Sequence, residues 1–328
     1  MTTAPPTLWL APLKGLTDAV FRRTFAEHFN GFDRAMAPFV TAVAAERLTD
    51  AHVRDLLPGA DGAIPLTPQI LGNAAEHFVA VAARLHGLGY TEVNWNLGCP
   101  FRPVSKKRRG AGLLPFPEAV DEFLDRVVRA LPMRLSVKMR LGRTTPDEIF
   151  KLLPVLDRYP LAQIVIHPRT ARQMYGGRPD LDAFESCLAL SRHRIVYNGD
   201  IVHVAGFKEL QARFPAVDEW MIGRGALTDP FLPSAIKTGA DPGPDRVRRF
   251  KAFYDDLFDR TGERLSGPGH LLDRMKGYWT YFAAAFTDGE RLAKQIHRTF
   301  QLPRYIDTVE RFFQEEAVWR ASEQNTEE

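Results

Sequence analysis

Polar side chains recur where short apolar runs of this 328-residue sequence end. They comprise amides, one thiol, cations and an imidazole, at six runs: Gln69; Asn96 and Cys99; Lys138 and Arg140; His167 and Arg169; Asn198 and Asp200; and Arg224. A thiol or an imidazole can move a proton, and lysine or arginine can stabilise an anion. One histidine in a strand is more often a satisfied core residue. Polar groups at six run ends instead indicate a shared active site.

The apolar runs that carry these residues alternate with amphipathic stretches up to about residue 238. The runs are Leu8–Leu13, Ala35–Thr41, Leu66–Leu71, Glu92–Leu97, Leu135–Arg140, Gln163–His167, Arg194–Asn198 and Glu219–Ile222, and helical spacing covers Asp18–Phe29, Ala74–His86, Glu118–Leu131, Pro146–Arg158 and Val204–Phe214. Eight strands alternating with helices predict an α/β fold, a (β/α)8 TIM barrel, in which reactive groups gather at the carboxyl ends of the strands. A doubly wound sheet is the alternative, but neither GxGxxG nor GxxxxGK[ST] occurs.

A Gly/Pro-rich break, TGADPGP at Thr238–Pro244, predicts a linker to a second domain. The later helical stretches are Asp245–Arg260, Gly269–Ala285, Gly289–Phe300 and Tyr305–Arg320. We therefore expect a barrel over residues 1–240 and a small C-terminal helical bundle over 241–328. The bundle is rich in arginine and lysine. Because acidic residues are interspersed, those cations are either solvated helix faces or an RNA-binding surface.

Composition narrows the class of protein. Apolar residues make up 45% and charged residues 25% of the chain, which excludes wholesale disorder, a collagen-like repeat and a coiled-coil rod. No apolar stretch reaches the ~18 residues of a membrane span, so no membrane association is expected. The two cysteines, Cys99 and Cys187, form neither a disulfide framework nor a CxxC zinc site. We therefore expect no metal and a reducing compartment, the cytoplasm.

The segment NWNLGCPFRPVSKKRRGAGLL, Asn94–Leu114, resembles the central motif of the tRNA-dihydrouridine synthases. Further resemblances follow in the same order: APLKGLTD (Ala11–Asp18), QILG (Gln69–Gly72), VKMRLG (Val137–Gly142), IHPRTARQMYGG (Ile166–Gly177), NGDI (Asn198–Ile201) and MIGRGAL (Met221–Leu227). The resemblance implies an FMN-binding barrel and a helical RNA-binding domain. It also implies reduction of the uracil C5–C6 bond in tRNA, with NADPH replenishing the flavin.

A cofactor of this kind needs donors for its phosphate and its ring. The predicted FMN-binding residues are Pro12, Leu13, Gln69, Asn96, Lys138, His167, Asn198, Gly199, Asp200, Gly223 and Arg224. The turns after strands seven and eight form the usual barrel phosphate site, where Arg224 supplies charge. Asp200 would repel phosphate, so we expect it to bind a ribityl hydroxyl or to cap a helix. Lys138 would stabilise negative charge near ring atom N1.

Cys99 is the predicted catalytic residue. Reduction of uracil needs hydride from flavin N5 at C6 and a proton at C5. The resemblance assigns the proton to the cysteine of GCP, and a thiol with a pKa near ~8.5 is mostly protonated at pH 7. Cys187 lies in a helical pattern and is expected to be a buried apolar residue.

The segment after Cys99 is expected to meet the RNA, because it contains five basic residues and no acidic one. The predicted substrate contacts are Arg102, Lys106, Lys107, Arg108 and Arg109 in this loop, and Arg169, Gln173 and Tyr175 after strand six. An aromatic residue, Phe101 or Trp95, could stack on an extruded base, although Trp95 is expected in the core.

Three alternatives remain open at this stage. A small-molecule pyrimidine or ene reductase would keep the flavin residues but needs no basic loop or helical tail. A dihydrouridine synthase could act on ribosomal RNA instead. A non-catalytic RNA-binding protein on a decayed barrel predicts losses among Cys99, Lys138 and His167, and none is lost. The oligomeric state and the target uridine are left open.

Overall fold

A closed parallel barrel holds the first two thirds of the chain. The computed structural model describes residues 5–58 and 64–320. Its strands are β1 Thr7–Leu10, β2 Arg34–Met36, β3 Val40–Thr41, β4 Leu66–Thr67, β5 Gln69–Leu71, β6 Glu92–Leu97, β7 Arg134–Gly142, β8 Ile164–Thr170, β9 Ile195–Tyr197 and β10 Glu219–Ile222. Neighbouring strands all pair in parallel, in the order β3-β5-β6-β7-β8-β9-β10-β1-β2-β4.

Two of the eight barrel positions are occupied by strands broken in two. β2 and β3 flank Pro38, and β4 and β5 flank Pro68. Because β2 pairs with β4 and β3 with β5, both halves join the same two barrel positions and the ring closes. Proline has no N–H to give to a ladder, which explains the interruption of two runs that we expected to be continuous. The predicted (β/α)8 fold is confirmed.

Helices cover the barrel and form the tail. They are α1 Ala19–His28, α2 Asp50–Val53, α3 Ala75–Gly87, α4 Arg102–Ser105, α5 Pro117–Ala130, α6 Glu148–Leu156, α7 Leu181–Leu190, α8 Val204–Arg213, α9 Arg224–Thr228, α10 Leu232–Thr238, α11 Arg246–Arg264, α12 Pro268–Phe282, α13 Gly289–His297 and α14 Leu302–Arg311. The predicted helices lie within about four residues of these bounds, except the last. The helix expected to reach Arg320 is shorter, because α14 ends at Arg311 and a single π-helical turn, Phe312–Glu316, follows it. The loop expected to carry the basic residues instead begins with α4.

The tail packs directly on the first helix of the barrel. Phe21 of α1 stacks on Tyr278 of α12 with centroids 5.7 Å apart, and the Tyr278 hydroxyl donates to the Leu16 carbonyl. Arg274 of α12 forms an ion pair with Asp18, the N-cap of α1. These contacts fix the tail beside the loop that follows β1. The division into domains at residue 240 stays a prediction, and positions 321–328 lie outside the described residues.

The predicted linker contains no regular element after α10. Gly239 ends that helix in the left-handed region, with φ of 67°, where a side chain would be strained. α11 starts at Arg246, so the break lies where the glycine and proline spacing predicted it.

Candidate active site at the barrel mouth

An open cavity lies at the carboxyl ends of the strands. Every cofactor residue predicted from the sequence lines it: Pro12, Leu13, Gln69, Asn96, Lys138, His167, Asn198, Gly199, Asp200, Gly223 and Arg224. Cys99 and Tyr175 line it too, whereas Arg169, Gln173 and the basic segment do not. Parallel strands therefore bring residues more than 200 positions apart in the sequence to one surface.

A chain of amide hydrogen bonds sets the position of Cys99. The Asn96 side-chain oxygen accepts from the Cys99 N–H at 2.9 Å and from the Gly98 N–H at 3.1 Å, which turns the chain after β6. Its nitrogen donates to Gln69 at 2.7 Å, and the Gln69 nitrogen donates to Asn94 at 2.8 Å. These side-chain amides are buried, so each needs its neighbour as a hydrogen-bond partner in place of water. Asn96 and Gln69 thus hold the turn as well as lining the cavity.

Arg140 connects the turn that carries Cys99, residues 96–99, to the loop after β8. Its guanidinium donates to the Gly98 carbonyl at 3.2 Å, the Thr170 carbonyl at 2.9 Å and the Met174 carbonyl at 2.7 Å. Arg140 was expected at a strand end, with no predicted role. The available signal was its spacing of two from Lys138, because alternate residues of a strand face the same side.

Lys138, Arg140, His167 and Arg224 line the cavity, and Asp200 is the carboxylate among its described lining residues. Burial, and then the Arg140 charge, lower the pKa of Lys138 to about 7. Within the described part of the chain, no carboxylate or hydrogen-bond partner contacts the Lys138 amine. Burial and the same cations hold the pKa of His167 well below its usual range, so the imidazole is neutral at pH 7. An anionic ligand would supply the compensation that the protein itself does not provide.

The Cys99 thiol is kept protonated. Burial raises its pKa above the usual range, while the Phe101 N–H and nearby cations, Arg140 first, act in the opposite direction. A raised thiol pKa means that the S–H form dominates at neutral pH. This is the protonation state that an acid requires, whereas a nucleophile would require the thiolate.

Asp200 lies between two arginines. It accepts from Arg169 at 2.9 Å and from Arg224 at 2.6 Å. The expectation that Asp200 caps a helix is wrong, because the His203 side chain caps α8 by accepting from the Gly206 N–H at 2.8 Å. Arg224 is accordingly a partly neutralised cation at the cavity edge.

Arg169 does not have the position expected of a direct RNA contact. It is only 1% exposed, and its guanidinium donates to Asp200 and to the carbonyls of Gly176 and Gly177. It therefore holds the loop after β8 in place. In that loop the Gln173 side chain accepts from the Thr170 N–H at 2.7 Å, and Tyr175 lies 42% exposed with the Arg224 guanidinium 4.6 Å from its ring.

The basic segment, residues 102–109, contacts Asn73 in the loop after β5 and the Phe116 ring before α5. Asn73 accepts from the Arg109 side chain at 3.2 Å and donates to the Lys107 carbonyl at 3.2 Å. Arg108 lies over the Phe116 ring at 4.3 Å. Arg102, Lys106 and Lys107 remain exposed, with no ion pair among the described residues. They are the members of this segment best placed to meet a polyanion.

The two aromatic residues considered for base stacking, Phe101 and Trp95, differ in solvent exposure. Phe101 is 59% exposed. Trp95 is fully buried and stacks on Phe123 with centroids 4.0 Å apart, which places it in the core as expected.

Comparison with known proteins decides the family. The model of the family described as "Dihydrouridine synthase (Dus)" matches residues 9–317. The chain belongs to the dihydrouridine synthase family. The predictions of a flavin-dependent oxidoreductase and of dihydrouridine synthesis are thereby confirmed.

The curated relatives match over most of their length. A tRNA-dihydrouridine(16) synthase of Cupriavidus necator is 30% identical, with 89% of this chain and 92% of that protein covered. A synthase of the same name from Salmonella typhimurium is 27% identical over 92% of this chain and 98% of that one. A tRNA-dihydrouridine synthase B of Pasteurella multocida is 27% identical over 69% and 67% of the two chains.

Solved structures share the barrel. An old yellow enzyme homologue from Zymomonas mobilis has a TM-score of 0.52 at 13% identity, covering 74% of this chain and 91% of that one. Morphinone reductase in complex with tetrahydroNAD has a TM-score of 0.51 at 12% identity, covering 74% and 89%. In the described ranges, no helix is both long enough and apolar enough to span a bilayer.

Proposed function

We propose that this family member binds FMN in the mouth cavity and that NADPH reduces the bound flavin. The enzyme then reduces uridine 16 of tRNA with Cys99 as the proton donor. The observation that carries the proposal is that Cys99 and Lys138 line one cavity, where the thiol is kept protonated and the lysine amine lacks an anionic partner. The choice of uridine 16 is supported by the names of the relatives from Cupriavidus necator and Salmonella typhimurium.

The cavity residues fit an anionic flavin. Lys138 and Arg224 provide positive charge, and Asn198 and Gly199 provide polar groups and backbone at the turn after β9. Pro12 and Leu13 lie at the end of β1, where they would pack on a ring face. When bound, the flavin supplies the hydride that adds to C6 of the uracil. An amine with no internal partner binds an anion without first breaking an ion pair, which favours this assignment.

The protein's part in the reaction is to hold one proton beside C5. The Cys99 Sγ–H would protonate C5, and burial of the thiol keeps that proton on sulfur until the uracil is in place. Arg140 and Asn96 hold the turn that carries the thiol. The lowered pKa of His167 makes its neutral imidazole a weak base, so it can donate a hydrogen bond to a uracil carbonyl without taking the Cys99 proton.

The experiment compares the purified, flavin-loaded enzyme on two substrates. NADPH oxidation and dihydrouridine formation are measured with unmodified tRNA and with free uridine, and the product is mapped by mass spectrometry. We expect dihydrouridine at position 16 with tRNA and little turnover of free uridine. Equal turnover of free uridine would support a small-molecule reductase. A product at another position would overturn the choice of uridine 16.

Mapping in cells complements the purified system. RNA from cells with and without this gene is compared for dihydrouridine in tRNA and in ribosomal RNA. Loss confined to tRNA position 16 is the expected result. Loss from ribosomal RNA alone would reassign the substrate.

A further inference from the structure

The tail carries its cations in two different settings. Most form ion pairs with acids of the tail or of the adjoining barrel: Arg246 with Asp241, Arg248 with Asp245, Lys251 with Asp255 and Glu310, Arg260 with Asp256 and Glu27, Arg264 with Asp55, Arg274 with Asp18, Arg291 with Glu316 and Lys294 with Glu290. Such pairs leave little net charge for an external ligand. The second setting is found where α12, α13 and α14 meet.

Around the turn between α13 and α14 the cations have no acidic partner. Arg298 and Arg304 are exposed, and neither they nor Lys276 of α12 forms an ion pair within residues 5–58 and 64–320. His297 lies beside them, with Nε2 3.4 Å from the Thr280 hydroxyl. A cluster of unneutralised cations on one face attracts a polyanion at long range.

An exposed aromatic ring lies beside Lys276, two residues after Arg298 and four before Arg304 in the sequence. Phe300 is 86% exposed, and the Lys276 ammonium lies 5.0 Å from its ring centroid. A single exposed apolar residue is ordinary on a protein surface. An almost fully exposed phenylalanine among unpaired cations is the combination that proteins use to bind single-stranded nucleic acid, in which charge holds the backbone and a ring stacks on a base.

The cluster is continuous with the active site. A groove lined by Lys14 and Gly15 of the β1–α1 loop runs along the α12 residues Gly277, Thr280 and Tyr281. Lys14 also lines the mouth cavity, and Thr280 contacts His297 next to Phe300. One RNA could therefore occupy the mouth, the groove and the cluster together.

We propose that Phe300 stacks on an unpaired nucleobase of the tRNA, while Lys276, Arg298 and Arg304 bind the phosphates that flank it. The inference rests on the proposed function, because it takes tRNA as the ligand. The base must be unpaired and unstacked on one side, since both faces of a base inside a helix are covered by its neighbours. The contact therefore favours an RNA in which a loop or bulge reaches Phe300 while the target uridine lies in the mouth cavity.

The test separates stacking from simple burial of apolar surface. Phe300→Ala, Phe300→Leu and Phe300→Trp are compared for affinity towards unmodified tRNA over a range of salt concentrations. The matched control is Leu190→Ala, an apolar residue of α7 that is 60% exposed on the barrel. We expect Ala and Leu to weaken tRNA binding roughly tenfold with an unchanged salt slope, and Trp to retain it. Arg298→Gln with Arg304→Gln should reduce the salt slope by about 1.4–1.8.

Two results would overturn the stacking contact. In the first, Phe300→Ala binds tRNA as tightly as Leu190→Ala does. In the second, Phe300→Ala changes the sedimentation of the protein from a dimer to a monomer while the tRNA affinity per chain is unchanged, which would make Phe300 a contact between copies.

If the proposed function itself is wrong, the activity measurements differ from those expected for a missing stacking contact. The wild-type enzyme would then leave tRNA unreduced, whatever the Phe300 variants bind. Flavin content and flavin reduction by NADPH are measured for each variant and should equal those of the wild type, because Phe300 does not line the mouth cavity.

Discussion

The barrel mouth and the outer face of the tail are both rich in arginine and lysine, but they hold these cations differently. At the mouth Arg140 and Arg169 are almost fully buried, and their guanidinium groups are bound to carbonyl oxygens or a carboxylate. On the tail Arg298 and Arg304 are exposed. Buried cations have fixed positions set by their partners, whereas exposed ones act on a ligand through attraction that salt screens. Changes at the mouth should therefore alter chemistry or stability, and changes at the surface should alter salt-dependent binding.

The largest expected effect comes from Cys99→Ala. Removing the proton donor should lower dihydrouridine formation by about 10²–10⁴-fold, the usual contribution of general acid catalysis. Flavin content and flavin reduction by NADPH should persist, since neither needs the thiol. Single-turnover reduction of tRNA by pre-reduced enzyme measures the step. Cys187→Ala, at a buried cysteine far from the cavity lining, is the control and should retain activity. Wild-type turnover in Cys99→Ala would remove this residue from the mechanism.

Arg169→Ala tests whether the buried arginines are structural. Removing one partner of a buried ion pair costs about 3–5 kcal/mol, and Asp200 keeps Arg224, so we expect a loss of about 3 kcal/mol in the free energy of unfolding. Urea denaturation of the flavin-free protein measures it. Arg213→Ala breaks an exposed pair with Asp182 and Glu185 and should leave the transition unchanged. Equal transitions for the two variants would contradict the distinction between mouth and surface.

Lys138 should make flavin affinity depend on pH. Its pKa of about 7 in the unliganded cavity lies below the ordinary lysine value, so the fraction of charged amine falls as the pH rises through 7. An anionic ligand binds the charged form better, and we expect FMN affinity to fall roughly tenfold between pH 7 and pH 8.5. Quenching of flavin fluorescence by the apoprotein gives the affinities. Lys138→Met should bind weakly with no slope over this range, and a parallel slope in that variant would assign the titration to another group.

The smallest change is expected in the basic segment. Replacing Lys106 and Lys107 by Ala should lower the salt slope of tRNA binding by about 1.4–1.8, as expected for two lost phosphate contacts. Arg108→Ala with Arg109→Ala should also weaken binding but lower the thermal stability, because these side chains contact Phe116 and Asn73. An unaltered slope in both double variants would show that the segment is ordinary surface.

Phe101 shows how far a sequence pattern reached. Its place two residues after Cys99 predicted an aromatic contact with the base. Phe101 is exposed, as such a contact requires, and the contact itself stays a prediction. Arg169 shows where the pattern failed. An arginine at a strand end looks the same in the sequence in two cases: when its guanidinium faces the ligand, and when it points away and donates to carbonyl groups.

Local alternation of apolar runs and amphipathic stretches determined the barrel, its linker and the set of residues at its mouth, because strand and helix periodicities are properties of neighbouring residues. The motifs around Cys99 and His167 determined the family. Only the folded chain decided that His203 rather than Asp200 caps α8, that Arg140 ties two loops together, and that Phe300 stands among unpaired cations. Each of these depends on distances between segments far apart in sequence, and burial and charge pairing are set by those distances.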